Sequence, residues 1–114
     1  MPPSVEDRLQ DILEAIAEIE DIVGGMARDP FAADKLRRMA TERYLEVICE
    51  AARHLTDEVK RDAPEIQRQR MVDFGNQLRH ACHATDVDIV WSIVQQHLPP
   101  LKAFVERRIR ASRG

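Results

Sequence analysis

The chain has few of the features that mark secreted, metal-binding or membrane-spanning proteins. Its 114 residues include only two cysteines, Cys49 and Cys82. Both fall in helical patterns without metal-ligand spacing, which indicates reduced thiols in a cytosolic protein. No apolar run is longer than four residues, far short of the ~20 that cross a membrane. Since no signal-peptide pattern fits the start either, we expect a cytoplasmic protein.

Other absences bear on the fold. No segment alternates apolar and polar residues over the length of a strand. There is also no internal repeat, no low-complexity tract and no linker between two compositionally distinct halves. At 114 residues, of which 44% are hydrophobic, the chain has a common domain size and enough apolar side chains for a core. We therefore expect a single helical domain over residues 1–114.

The first helix is the clearest pattern in the sequence. Ser4 and Asp7 have the spacing of a capping box, and Gly24-Gly25 is typical of a helix end. Apolar residues between them recur in steps of three and four, as in the buried seam of a bundle. The seam is Leu9, Ile12, Ile16, Ile19 and Val23.

A second helical region follows. Asp29-Pro30 predicts an N-cap followed by proline at the first helical position. The pattern then runs to about Leu55, with a break near Asp34. Its predicted apolar face consists of Leu36, Met39, Ala40, Tyr44, Val47, Ile48, Ala51 and Leu55.

Two further helical regions complete the chain. Pro64 precedes the first, and Asp86 is the predicted cap of a helix over Val87–Leu98. Pro99-Pro100 either kinks that helix or starts a new one. The apolar stripes are Val87, Val90, Trp91, Val94 and Leu98, then Leu101, Phe104, Val105 and Ile109. These patterns predict an all-α fold, an antiparallel bundle of four main helices plus short ones.

The most informative segment is 76–81. Residues three and four apart share a helix face, so this segment gives its helix one polar and one apolar stripe. The polar stripe is Asn76, Arg79, His80 and His83, and the apolar stripe is Met71, Phe74, Leu78 and Cys82. A helix that buries one face and presents arginine and histidine on the other can hold an anion and move a proton.

The net charge of −3 conceals an asymmetry along the chain. Residues 1–30 carry eight acidic side chains and two arginines, whereas residues 102–114 carry five basic side chains and one glutamate. The basic end could contact nucleic acid or an acidic partner. The alternative is a solvated helix end whose arginines complement the helix dipole.

Several ordered motifs resemble the HepT-like branch of the HEPN family. Residues 43–52, Arg-Tyr-Leu-Glu-Val-Ile-Cys-Glu-Ala-Ala, resemble its second-helix signature, and Pro64-Glu65-Ile66 resembles the loop before its active helix. The stretch 75–80, Gly-Asn-Gln-Leu-Arg-His, is similar to its Gly-Asn-x-x-Arg-His variant. Residues 86–91 and 98–101 follow in the expected order. The set covers nearly the whole chain.

The resemblance implies a helical homodimer that acts as a metal-independent endoribonuclease toxin, with no cofactor. It also implies a partner antitoxin, a minimal nucleotidyltransferase of the MntA type, as in type VII (HEPN/MNT) toxin–antitoxin pairs. That enzyme transfers AMP to a tyrosine of the toxin.

Two positions depart from the family motif. Many relatives have the motif arginine where this chain has Gly75, and the basic residue here is Arg79, directly before His80. The motif usually has tyrosine two residues after the histidine, where this chain has Cys82. These departures favour a second hypothesis, a catalytically weak binding module that pairs with the nucleotidyltransferase.

The resemblance makes Arg79 and His80 the candidate catalytic residues. Metal-free RNA cleavage needs a base for the 2′-hydroxyl, an acid for the leaving oxygen and positive charge near the phosphorus. Histidine suits the first two roles and arginine the third. Asn76 and His83 are candidate supporting or RNA-binding residues, although His83 also fits an ordinary exposed histidine. Without the resemblance, Arg79-His80 would fit a solvated helix face.

Three further alternatives concern other residues. A metal site at His80, Cys82 and His83 is disfavoured, because residues i and i+2 of a helix point in different directions. Arg43 and Glu50 fit either a role beside the site, by resemblance, or a buried or interfacial ion pair. Tyr44 and Trp91 have the spacing of core residues. A purely structural helical dimer remains the third functional hypothesis.

Overall fold

The computed structural model describes residues 4–62 and 86–113, and it describes only the main chain for Val5, residues 53–62 and residues 112–113. The described residues form helices and no strand, which confirms the all-α prediction. The predicted helix between Pro64 and His83 lies outside them. In chain order the helices are α1 (Val5–Val23), α2 (Arg28–Ala33), α3 (Lys35–Asp62), α4 (Val87–Ser92), a π-helical turn (Ile93–His97) and α5 (Leu98–Arg113).

Helix α1 forms as its sequence predicts. The Ser4 side chain accepts a hydrogen bond from the Asp7 main-chain nitrogen, and the Asp7 carboxylate accepts one from the Ser4 nitrogen, each at 3.1 Å. Gly24 ends the helix, and Gly25 has a φ of 74° that favours glycine. All five residues of the predicted seam are buried. Each such side chain stabilises the fold by about 1.5–3 kcal/mol.

Helix α2 begins two residues earlier than its sequence predicts. Its N-cap is Ala27, without a side-chain hydrogen bond, and Pro30 lies at the third helical position. The predicted cap at Asp29 is therefore wrong. The Asp29 carboxylate instead accepts a hydrogen bond from the Arg28 guanidinium at 2.8 Å. Proline is tolerated at this position because the first-turn nitrogens have no partner within the helix.

The predicted break at Asp34 is confirmed. Asp34 ends α2, and its side chain accepts a hydrogen bond from the main-chain nitrogen of Arg37 at 3.1 Å, in the first turn of α3. Helix α3 then continues to Asp62, beyond the predicted end at Leu55.

The predicted apolar face of α3 is wrong in its first turns. Leu36 is 80% exposed and Met39 is 55% exposed. The face that packs against the core instead includes Thr41 and Leu45, and it includes Ile48 as predicted. Helix α3 packs against α1 and α2, and periodicity within α3 alone does not show which of its faces meets them.

The sequence left open whether Pro99-Pro100 kinks a helix or starts a new one. The structure shows a new helix, α5, which begins at Leu98 directly after the π turn. Asp86 caps α4 by accepting a hydrogen bond from the Asp88 nitrogen at 2.9 Å, as predicted. The helix then widens into the π turn, in which the Leu98 nitrogen donates to the Ile93 carbonyl five residues back. A proline ring would clash with the carbonyl four residues before it. The wider turn accommodates both prolines in the first turn of α5.

Helix α1 runs antiparallel to both α3 and α5. The Arg37 guanidinium, at the start of α3, donates to the carbonyl of Ile22, at the end of α1. The Lys102 ammonium, near the start of α5, lies 2.9 Å from a carboxylate oxygen of Glu20, also near the end of α1. Helix α1 thus packs between α3 and α5. Among the described residues, no helix combines the length and apolar character needed to cross a membrane.

Candidate functional site

The residues predicted to carry the chemistry lie in segment 63–85, outside the described residues. This applies to Arg79 and His80, to Asn76 and His83, and to Cys82. The motif position Gly75 and the loop Pro64-Glu65-Ile66 belong to the same segment. Their predicted roles remain predictions, and the structure describes the two helices between which this segment lies in sequence.

The start of α4, directly after the segment, is held by three contacts. Asp86 caps the helix. Asp88 accepts a hydrogen bond from the Arg28 Nε at 2.6 Å, and a second guanidinium nitrogen lies 2.5 Å from the same oxygen. The Trp91 ring lies 5.2 Å from the ring of Phe31, between centroids. The chain that follows the candidate site is therefore fixed to α2.

The surroundings of Arg28 favour the protonated form of its guanidinium. Hydrogen bonds from its guanidinium to Asp29 and Asp88, together with the attraction of both carboxylates, raise the pKa of Arg28 above its ordinary value. The guanidinium thus stays protonated and joins two neighbouring carboxylates. Arg28 and Asp88 are sixty residues apart, so no local pattern in the sequence could have identified the pair.

Helix α3 carries the signature of residues 43–52, for which the sequence left open a role beside the site or a buried or interfacial ion pair. Arg43 is exposed and lies 3.2 Å from a carboxylate oxygen of Glu46, one turn along the same helix. Glu50 is also exposed. The exposure of both residues excludes the buried form of the pair within the described part of the chain, and the interfacial form stays a prediction. Because both side chains reach the surface, they are accessible to a substrate or partner.

Two polar atoms of α3 were not singled out from the sequence. The Thr41 hydroxyl and the Arg38 Nε are buried, and neither has a hydrogen-bond partner among the residues that the structure describes. Thr41 lies on the core face of α3, where sequence periodicity predicts apolar residues. A buried hydroxyl costs free energy unless it is hydrogen-bonded, so this is a locally unfavourable position.

The aromatic residues predicted to be core are only half-buried. Tyr44 and Trp91 both pack against the core without being enclosed by it. Among the described residues the free thiol is Cys49, which is half-buried on α3. No group of three possible metal ligands occurs in the described part of the chain.

The charged surfaces predicted from the sequence are present at both ends of the described chain. Five acidic residues of α1 recur in steps of four and three on the side opposite the buried seam, and all are exposed. They are Asp7, Asp11, Glu14, Glu18 and Asp21, and we call them the acidic stripe. On α5, Arg107 and Arg110 are exposed, whereas Lys102 belongs to an intramolecular pair with Glu20.

The chain is similar to a family of ribonucleases. A family model described as Ribonuclease HepT-like matches residues 12–108. A protein of Thermococcus cleftensis named "Probable ribonuclease HepT" is 36% identical over 107 residues, which cover 94% of this chain and 97% of the relative.

Two proteins of Methanocaldococcus jannaschii, named as candidate RNases MJ1380 and MJ0127, are also similar. The first is 31% identical over 98 residues, covering 86% of this chain and 90% of the relative. The second is 33% identical over 106 residues, covering 93% of this chain and 88% of the relative. No solved structure matches the chain.

Proposed function

The chain belongs to the HepT-like ribonuclease family, and we propose from that membership that it is a metal-independent endoribonuclease in which Arg79 and His80 perform the cleavage. The observation that carries the proposal is the family match over residues 12–108, which encloses both residues. We propose that residues 1–114 form one HepT-like domain.

The proposed reaction uses the 2′-hydroxyl of RNA as the nucleophile. A neutral His80 imidazole removes the hydroxyl proton, and the oxygen attacks the adjacent phosphorus. Arg79 holds the non-bridging oxygens as negative charge develops on them. The bond to the 5′-oxygen breaks, and a protonated histidine supplies the proton that this oxygen needs. The products are a 2′,3′-cyclic phosphate and a free 5′-hydroxyl.

A homodimer supplies the second histidine. One chain has one His80, whereas the reaction needs a base and an acid at the same time. Two copies of His80 facing a single cleft would divide these roles. The exposed Leu36 and Met39 support association, because large apolar side chains in water favour burial against another surface.

The proposed biological setting is a type VII toxin–antitoxin pair, with an MntA-type nucleotidyltransferase as the antitoxin. The acidic stripe of α1 and the basic residues Arg107 and Arg110 of α5 offer surfaces of opposite charge for docking. Cys82 occupies the position of the family's AMP-accepting tyrosine. We therefore propose that binding, rather than modification at position 82, controls the activity.

A second candidate function rests on Gly75 and Cys82. If the arginine and tyrosine usual at these positions are needed for cleavage, the protein is a binding module that pairs with the nucleotidyltransferase. Co-expression and pull-down with the product of a neighbouring nucleotidyltransferase gene tests the partner that both functions share. The absence of such a gene would favour the purely structural dimer.

Cleavage of purified RNA in excess EDTA tests the proposed activity. We expect fragments ending in 2′,3′-cyclic phosphate, at a rate that the chelator does not change. Activity that disappears with EDTA would contradict the metal-independent mechanism and return the His80, Cys82 and His83 cluster to consideration.

A further inference from the structure

The outer face of α5 carries two arginines that have no partner in the described part of the chain. Arg107 and Arg110 are exposed and lie three residues apart, so their side chains are neighbours on one face of the helix. Neither forms an ion pair with a described residue, including Glu106, the one acidic residue of α5. By contrast, Lys102 on the same helix is paired with Glu20. Two positive charges of α5 are therefore not neutralised within the described residues.

The helix dipole does not account for both arginines. Positive charge is favourable near the C-terminus of a helix, but the effect falls off within the last turn. Helix α5 ends at Arg113, so Arg110 lies in its last turn. Arg107 lies six residues before the end, which is almost two turns. Arg107 thus has neither an ion-pair partner among the described residues nor the helix end to stabilise its charge, and it is available to an external anion.

The exposed side chains beside the two arginines are small. Ala103 and Ala111 lie four residues before and after Arg107, on the same face, and both are exposed. Among the described residues, the large apolar side chains that are exposed are Leu36 and Met39, and both belong to α3. A protein interface usually has an apolar or aromatic centre, which this face of α5 does not offer. Guanidinium groups between small side chains suit the oxygens of a phosphate backbone better.

The two arginines are displaced along the bundle towards the segment that carries the candidate site. Helices α3 and α5 both begin beside the C-terminal end of α1, since Arg37 contacts Ile22 and Lys102 contacts Glu20. They therefore run in the same direction. Helix α3 leads into segment 63–85, and the arginines lie in the half of α5 that extends in that direction. A strand bound to them can extend towards that segment.

We propose that Arg107 and Arg110 bind the phosphate backbone of the RNA substrate, at a surface separate from the cleavage residues. The inference rests on the proposed function for the identity of this ligand. Each guanidinium donates hydrogen bonds to the non-bridging oxygens of a phosphate. Such contacts position a strand without reading its bases. The two arginines thus increase the affinity for RNA and take no part in the chemistry assigned to Arg79 and His80.

Binding of a fluorescent 2′-O-methyl RNA strand, measured by anisotropy over a range of salt concentrations, tests the proposal. This probe cannot be cleaved because its 2′-hydroxyls are blocked, so the measurement does not depend on catalytic activity. Each phosphate contact to a single strand contributes about 0.7 to the slope of log affinity against log salt. We expect Arg107→Gln and Arg110→Gln each to make the slope shallower by about this amount. Lys35→Gln removes an exposed positive charge at the start of α3 and is expected to leave the slope unchanged.

Two results of this measurement would overturn the proposal. One is an unchanged slope in both arginine variants, and the other is an equal change in Lys35→Gln, which would reflect net charge alone. If the arginine variants keep the slope but bind the nucleotidyltransferase more weakly, the surface belongs to that protein and the proposal fails.

Cleavage of unmodified RNA separates this surface from the proposed function. If binding depends on the arginines but the wild type cleaves no RNA, the binding surface stands and the proposed cleavage fails. If the wild type cleaves RNA, we expect both arginine variants to need more RNA for half of the maximal rate and to keep the rate at saturation. A lower rate at saturation with unchanged affinity would place the arginines in the cleavage step and overturn the proposal.

Discussion

The aromatic rings of Phe31 and Trp91 lie 5.2 Å apart, with an angle of 40° between their planes. Phe31 belongs to the short helix α2 and is fully buried, whereas Trp91 belongs to α4 and is half-buried. The ion pair between Arg28 and Asp88 joins the same two helices. Helix α2, which is far from α4 in sequence, thus holds α4 in place directly after segment 63–85, which carries the candidate site.

We predict that Phe31→Ala destabilises the protein by about 3–5 kcal/mol, the usual cost of removing a buried phenyl group. Urea unfolding followed by circular dichroism measures the change. Phe104→Ala removes the same group from a half-buried position on α5 and should cost clearly less. Equal costs for the two variants would mean that Phe31 does not anchor α2 to α4.

Much of the helical framework could be predicted from the sequence. The seam of α1 from Leu9 to Val23 and its capping box depend on interactions within a few residues of one another, so the local pattern contains them. The cap at Asp86 is predictable for the same reason.

The errors arise where a tertiary contact decides the outcome. Asp29 has the sequence context of a helix cap, but its carboxylate accepts a hydrogen bond from the Arg28 guanidinium. The same guanidinium forms an ion pair with Asp88 of α4. Leu36 and Met39 fit the helical period of α3, but the face of α3 that packs against the core includes Thr41 and Leu45 and leaves both of them exposed. The candidate site could be predicted only through family resemblance, since arginine and histidine on a polar helix face also fit an ordinary solvated surface.

The exposed apolar residues of α3 yield a prediction about assembly. We expect a homodimer in solution, and we expect Leu36→Glu combined with Met39→Glu to weaken it without loss of helicity. Sedimentation of the wild type, the double variant and a Lys35→Glu control tests this. A wild-type species of only 13.1 kDa at micromolar concentration would reject the dimer. An unaffected dimer in the double variant would place the interface elsewhere.

The Lys102–Glu20 pair predicts how stability depends on pH. The hydrogen bond and the charge of Glu20 raise the pKa of Lys102 above its ordinary 10.5. A raised pKa in the folded state contributes stability fully below the ordinary value, and that contribution is lost as pH rises through the folded value. The melting temperature should therefore exceed that of Lys102→Met at neutral pH, and the difference should vanish in strong alkali. A difference that grows with pH would contradict the pair.

Cys82 yields a prediction about regulation. A thiol is shorter than a phenol and does not extend to the same place, so we expect no AMP on Cys82 after incubation with the nucleotidyltransferase and ATP. Tyr44 is the chain's one tyrosine and is half-buried on α3, which makes it a poor acceptor. Intact-mass and peptide mass spectrometry measure both positions. AMP mapped to Cys82 would contradict the proposal. AMP mapped to Tyr44 would indicate that modification of Tyr44, rather than binding of the partner, controls the activity.

The proposed sharing of acid and base roles predicts a dominant effect in mixed dimers. When wild-type protein is refolded with increasing excess of His80→Ala, the activity per wild-type chain should fall, because each mixed dimer lacks one of the two histidines. An excess of His97→Gln, which alters a histidine of the π turn, should not lower it. Constant activity at every ratio of His80→Ala would show that one chain suffices.

The most direct test of the account is the rate of RNA cleavage by His80→Ala in the presence of EDTA. We predict that the rate falls by about 10²–10⁴-fold, the usual cost of removing a general acid or base, while His97→Gln keeps the wild-type rate and both variants keep the wild-type circular dichroism spectrum. Wild-type cleavage by a correctly folded His80→Ala protein would contradict the account and move the chemistry away from segment 76–83.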